Sequence, residues 1–290
     1  MSLKKPAKPA ETRAWVPSHI TGFFAAHRRD DPLHSGSIGC GLCLSLGATT
    51  IIESAPKIRN TEIVLNGMVS DAPVSRFVVE KLARGPVRAR TVLEMPFGAG
   101  FGASGAGALG CAYALNAHFD LGLTADQAAC FAHEAEVRNG TGLGDVIAQN
   151  TGGLVVRLMP GGPGIGRIDR IPVPLLPVDY VVRGPISTKD VLSDQNAMSS
   201  VNKAGVVALK ELLKRPTLQN FMQLSRAFTV QSGLASDWAR DAIEAVEAAG
   251  GMASMIMLGD AVFAFGGAEA LKGFGEVHTT TISQRGANLD

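Results

Sequence analysis

The chain has 290 residues, 46% of them hydrophobic, which is enough apolar material for one large domain or two ordinary ones. Its charges sum to 27 − 26 = +1 and only 6% of residues are aromatic, which argues against a nucleic-acid groove, an anionic membrane surface or a base-stacking platform. Glycine, at 34 residues, is in excess and clustered rather than periodic, so it points to specialised backbone loops.

The opening MSLKKPAKPAETR sets Lys4, Lys5, Lys8 and Arg13 among prolines with no apolar stretch. Residues 1–13 are therefore expected to be a disordered tail rather than a secretory signal, and the cytoplasm is the expected compartment. From Gly41, GLCLSLGATTIIES reads as strand, turn, strand. Four cysteines do not make a disulfide framework in a chain this long, and the lone pair Cys40 and Cys43 reads as packing rather than a redox or zinc site. Thr61 to Gly67 is a strand ending in an Asn-Gly turn, and Val74 to Ala83 is a helix with Val74, Phe77, Val78 and Leu82 on one face. Arg88 to Met95 alternates like a strand and stops at Pro96. Met95 to Ala117 holds no charge, but six glycines and Pro96 make its first half a loop and not a membrane span.

A helix follows from about Ser104 to Ala117, and another begins at Thr124, where Thr-Ala-Asp-Gln forms a capping box closed by Gln127. It runs to Arg138 and ends at Asn139-Gly140. Leu154 to Met159 is strand-like, and the proline-spaced stretch near residues 170–176 marks a soft boundary. Beyond it come helices at Ala197–Lys214 and Thr217–Gln231, a third from Ser236 to the Gly250-Gly251 pair, and a buried run from Met252 to Phe265.

The chemistry concentrates in two segments. In PFGAGFGASGAGALG, glycines let consecutive N–H groups point inward, and Ser104 stands where free amides and the positive end of a helix dipole converge. Ser104 either serves an anion there or simply caps the helix; one cap does not need six glycines. The phosphate-loop pattern of nucleoside triphosphatases requires a Lys after the last glycine, and none is present. Gly100, Gly102 and Gly105 satisfy the dinucleotide pattern G-x-G-x-x-G, but Asp120 follows a helix and not a strand, so that reading lacks its context.

On the helix after Thr124, Gln127, Glu134 and Arg138 share a polar face, whereas His133 and Glu136 lie about 60° apart on the small, apolar face. A carboxylate and an imidazole are costly there unless they satisfy each other or serve a ligand. NGTGLGD then presents Asp145 at the end of a glycine loop. Transfer of a phosphoryl group to an alcohol needs an acceptor oxygen held in line, its proton accepted, and the phosphate charge neutralised. Asp145 suits the first two tasks, as a base or as an orienting group, and Ser104 with Glu136 suits Mg²⁺; the alternative for Asp145 is a loop cap.

With these residues in hand, the chain resembles the GHMP-superfamily kinases, and among them the archaeal pantoate kinases. The glycine segment carries the superfamily resemblance. The narrower one rests on AWVPSHITGFF, DPLHSGSIGCG, AHEAEVRNGTGLGDVIAQNTGG, RLMPGGPGIG and SMIMLGDAVFAF. The resemblance implies an α+β, two-lobed fold with a ribosomal-S5-like N-terminal lobe, residues 14–172, and a ferredoxin-like C-terminal lobe, residues 173–290, meeting at an active-site cleft. It implies a cytoplasmic homodimer that phosphorylates the primary hydroxyl of pantoate with ATP and Mg²⁺, giving 4-phosphopantoate on the archaeal route to coenzyme A. Alternatives are a mevalonate, homoserine or shikimate kinase of the superfamily, a catalytically silent relative, and, from outside it, a dinucleotide-dependent oxidoreductase.

Carried onto matching positions, Gly98, Gly100, Phe101, Gly102, Ala103, Ser104 and Gly105 would hold ATP. Ser104 and Glu136 would serve the metal, and Asp145 the acceptor hydroxyl. Arg157 is the candidate for the substrate carboxylate, against a role as an exposed strand residue, and Ser37, in a Gly-flanked loop, and His133 are candidate hydrogen-bonding partners. Many superfamily members open with Pro-Gly-Lys; here the chain reads Pro17-Ser18-His19, so His19 either orients Asp145 or contacts substrate.

Overall fold

The computed structural model describes residues 11–186 and 195–290. The expected tail lies outside the described residues up to residue 10, while Glu11 to Arg13 already belong to the first strand, β1 (Glu11–His27). That strand pairs antiparallel along its length with β2 (Gly36–Glu53). The turn expected inside β2 is absent. Gly47 stays in the strand, and the irregularity is a register shift in which Pro17 faces Gly47 while Ser18 faces Leu44. A bulge bends the ladder without ending it, which explains why a glycine inside an alternating run imitates a turn.

The bend divides β2 between two neighbours. Its later half, Ala48 to Glu53, pairs with β5 (Arg88–Leu93), and its earlier half, Gly39 to Leu42, pairs with β6 (Leu154–Met159), which pairs in turn with β7 (Arg167–Ile171). β3 (Glu62–Leu65) runs parallel to β5 and turns through Asn66-Gly67, both with positive φ, into β4 (Met68–Val69), as the Asn-Gly signal requires. Four helices accompany this sheet: α1 (Pro73–Leu82), α2 (Ala103–His118), α3 (Ala125–Asn139) and α4 (Asp145–Thr151). α2 packs against β1 and β2 on one side and α1 and α3 on the other, and its alanine and glycine surface permits that central place.

A second, antiparallel sheet has the order β11-β8-β10-β9, from β8 (Pro177–Pro185), β9 (Met252–Met255), β10 (Gly259–Phe265) and β11 (His278–Thr281). Between β8 and β9 lie α5 (Gln195–Lys214), α6 (Leu218–Ser232) and α7 (Asp237–Ala248), and between β10 and β11 the short α8 (Ala268–Leu271). Helices on one crossover, a hairpin, then a helix before the last strand is the β-α-β-β-α-β arrangement of ferredoxin-like folds.

The strands of the first sheet described so far all precede residue 173, yet the chain's end returns across the boundary. β12 (Asn288–Leu289) pairs with Ala14 and Trp15 of β1, and Ala287 donates its N–H to the Gln149 carbonyl. Both sheets share one apolar core. Phe23 and Phe24 of β1 meet Phe221 and Phe228 of α6 at ring separations of 5.9–6.4 Å. Full burial of each such ring stabilises the junction by about 1.5–3 kcal/mol, so β1 is fixed against both halves of the molecule. No helix among the described residues is long and apolar enough to cross a membrane.

Candidate active site

A cavity of about 280 Å³ opens where the two sheets meet, with walls from β1, β2, the glycine loop, the α3–α4 loop, β6 and the β9–β10 turn. Gly98, Gly100 and Gly102 of the glycine loop hold left-handed backbone (φ 75°, 83° and 66°). Gly102 is the N-cap of α2, and Gln149 of α4 donates its amide to the Gly102 carbonyl at 2.9 Å. Ser104 therefore does not cap the helix. It lies two residues inside, beside the N–H groups of Ala103, Ser104 and Gly105, which the helix itself cannot pair. Gly98, Gly100, Gly102, Ala103 and Ser104 line the cavity. Phe101 also lines it, with its ring buried against Tyr180, and Gly105 faces Gln149 of α4 instead.

The Ser104 hydroxyl donates to Oε1 of Glu136 at 2.7 Å, and the Thr141 hydroxyl donates to the same oxygen at 2.7 Å. Glu136 stands in the last turn of α3, just behind the wall formed by Ser104, Thr141 and Gly142. Burial pushes its carboxyl up to about 7 against the pull of the two hydroxyls, and the nearby Asp145 charge adds to the rise. The helical-face reading holds: Glu134 is on the outer side and bonds Arg138 at 2.7 Å, while His133 and Glu136 are buried.

Asp145 opens α4 and faces the cavity. Its Oδ1 lies 2.7 Å from Nδ1 of His19, whose Nε2 lies 3.3 Å from Nη1 of Arg157. Arg157 is fully enclosed in β6 rather than exposed, and its Nε has no hydrogen-bond partner among the described residues. Gly142 stands between the two acids: a Cβ there would collide with Oε2 of Glu136 and come within 3.2 Å of Oδ2 of Asp145.

Ser37 lines the same cavity, but it is the second residue of β2, paired with Ala26, and not a loop residue. His133 is placed one layer back. Its Nε2 is 2.9 Å from the Ser35 carbonyl and its ring faces Gly162, so it steadies the segment that delivers Ser37. His133 and Glu136 do not satisfy each other. Cys40 and Cys43 fall in separate apolar clusters, both thiols raised by burial.

Sequence reasoning missed Thr141, whose only signal was its place in the NGTGLGD loop, and Gln149. It also missed Thr21, Phe24, Ile186, Met257 and Leu258, which form part of the wall. Leu258 takes left-handed backbone (φ 65°), at a cost of about 1–3 kcal/mol, in the turn before β10. That turn is anchored by the Met257 N–H to the Thr21 carbonyl. Among the described residues no group of three or more His, Cys, Asp or Glu side chains is placed to enclose a metal ion.

Comparisons with known proteins agree with this architecture. Residues 72–153 match the family described as GHMP kinases N terminal domain. The chain is 40% identical over 265 residues to a pantoate kinase of Thermococcus kodakarensis, covering 87% of this chain and 86% of that protein. It is 36% identical over 282 residues to a pantoate kinase of Methanospirillum hungatei, covering 94% of each. Among solved structures, a phosphotransferase related to the CoA biosynthesis pathway superposes with a TM-score of 0.85 at 34% identity, over 97% of this chain and 98% of that one. A homoserine kinase from Cytophaga hutchinsonii, at 18% identity and full coverage of both chains, has a TM-score of 0.72 and shares the fold.

Proposed function

The chain belongs to the pantoate kinases, within the GHMP kinase family, and we propose that it transfers the terminal phosphoryl group of ATP to the primary hydroxyl of pantoate. The product, 4-phosphopantoate, would enter coenzyme A synthesis. One observation supports this reading above the others: a glycine-loop helix terminus, Asp145 and a buried guanidinium converge on a single cavity, with Glu136 just behind its wall and bonded to Ser104.

The residues fit the groups this reaction needs. The left-handed glycines and the amides of Ala103, Ser104 and Gly105, which the helix itself leaves unpaired, suit a polyphosphate. Ser104 and Glu136 are hard oxygen donors, and with its O–H directed at Glu136 the Ser104 oxygen keeps lone pairs free. Two such ligands suit Mg²⁺, which retains waters and takes phosphate oxygens for the rest of its shell. When bound, the ion would neutralise charge on the transferring phosphoryl group.

The protein's own groups then act on the acceptor. Asp145 accepts the hydrogen bond of the hydroxyl, aims its oxygen, and takes the proton as the new P–O bond forms. Arg157 faces the pantoate carboxylate with Ser37 beside it, and His133 holds the Ser37 segment from behind. Phe24 and Leu258 give the apolar surface that a branched carbon chain requires. On this reading the enzyme works in the cytoplasm as a homodimer, an assembly that light scattering of the purified protein measures.

An ADP-release assay with pantoate, pantothenate, homoserine and mevalonate side by side tests the reading. Turnover with pantoate alone is expected. Turnover with pantothenate and not pantoate would move the enzyme to a different step, and no ADP release with any of them would make it a silent relative.

A further inference from the structure

His19 lies at the junction of everything described above, yet its side chain is wholly buried and does not line the cavity. Its backbone N–H donates to the Phe101 carbonyl at 3.1 Å, tying β1 to the glycine loop. Its ring reaches Asp145 with one nitrogen and Arg157 with the other. Gly41, on the neighbouring strand, leaves the space the ring occupies, since a Cβ there would run into Nε2.

The chemistry of the partners fixes where the imidazole proton sits. A guanidinium nitrogen has hydrogens and no available lone pair, so the Nε2 facing Arg157 must accept. A neutral ring that accepts at Nε2 carries its proton on Nδ1, and there, 2.7 Å away, is a carboxylate oxygen. The other tautomer would set N–H against N–H on one side and a lone pair against a carboxylate on the other. A doubly protonated ring would still oppose Arg157.

We propose that His19 is a positioning residue: a neutral, Nδ1-protonated imidazole that aims Asp145 with one nitrogen and braces Arg157 with the other. The group that handles the acceptor hydroxyl and the group that faces the acceptor's carboxylate are thereby held at a fixed separation by one rigid ring. The ring does the aligning from outside the cavity and touches no substrate. The assignment of roles to Asp145 and Arg157 rests on the kinase reading above; the tautomer itself does not.

Two measurements test this, and the first needs no substrate. Nitrogen-15 spectra of histidine-labelled full-length protein at neutral pH should show His19 with a protonated Nδ1 and a bare Nε2. A bare Nδ1, or protons on both nitrogens, would overturn the proposal even if pantoate is turned over normally.

The second measurement splits the two contacts. His19→Asn keeps an N–H near the Nδ1 position and loses the acceptor for Arg157; the acceptor KM is expected to rise about tenfold with kcat less affected. His19→Gln keeps an acceptor near Nε2 and loses the donor to Asp145; kcat is expected to fall about 10- to 100-fold with KM within about twofold. ATP-induced thermal stabilisation should persist in both variants. Wild-type kinetics in both, or the opposite split, would overturn the proposal, and if the variants do not fold the spectrum decides. Failure of pantoate as substrate for the wild type would instead sink the functional reading and leave the tautomer result standing.

Discussion

Glu136 and Asp145 stand on either side of Gly142, but Glu136 receives two hydroxyls and burial, whereas Asp145 receives an imidazole backed by a guanidinium and partial access to the cavity. A hydroxyl is a neutral donor that compensates a buried charge only in part, so Glu136 is held toward its protonated form until a cation offsets the burial. Asp145 has the imidazole at one oxygen, and the other has no hydrogen-bond partner among the described residues. The acid that lines the cavity and the acid just behind its wall thus have different surroundings, an imidazole for the first and two hydroxyls with deep burial for the second.

The sharpest way to break this comparison is to neutralise each acid in turn. Asp145→Asn should lower turnover by about 10²–10⁴-fold while ATP still raises the melting temperature. Near-normal turnover would remove Asp145 from the chemistry. Glu136→Gln should lower Mg²⁺-dependent kcat/KM by at least about 10-fold, with partial recovery at high Mg²⁺. Arg157→Ala should raise KM for pantoate about 10-fold or more and leave KM for ATP nearly unchanged. A defect confined to ATP would place the acceptor carboxylate elsewhere.

A fourth experiment uses pH on the metal-free protein. Glu136 is raised from 4.5 to about 7 in the folded state, so its protonated form contributes stability that is complete below the unfolded value and is lost as pH rises through about 7. Glu136→Gln mimics the protonated acid. The stability of the wild type relative to that variant should therefore fall between about pH 5 and pH 8, as read by denaturant melts. A difference that grows with pH would mean that Glu136 is stabilised as an anion. Smallest of all, Glu134→Gln removes an exposed pair with Arg138 and should change stability by less than about 1 kcal/mol and activity not at all.

How far these residues were legible depends on how local their signals are. The α3 start was legible because Thr124 and Gln127 form their capping box within four residues, and the structure has both halves of it. The burial of Glu136 and the outward, half-buried position of Glu134 followed from helical spacing alone. Spacing gives the face and not the partner, however. His133 shares that face but reaches the Ser35 carbonyl, 98 residues away, and does not line the cavity.

The β2 bulge was hidden for the same reason. Whether Gly47 turns the chain or bends it is decided by Pro17 on the opposite strand. Leu258 and the return of β12 onto β1 were also invisible, because each depends on docking against a segment far away in sequence. The resemblance supplied what local physics did not, the expectation that Asp145 and Arg157 serve one substrate. The structure supplied the ring between them.

A crystal structure of the protein with Mg²⁺, an unhydrolysable ATP analogue and pantoate would test the account most directly. The polyphosphate is expected on the amides of residues 98–105 and the ion at Ser104 and Glu136. The primary hydroxyl is expected at Asp145 and the carboxylate at Arg157. A polyphosphate bound away from the glycine loop, or a pantoate turned with its carboxylate toward Asp145, would contradict it.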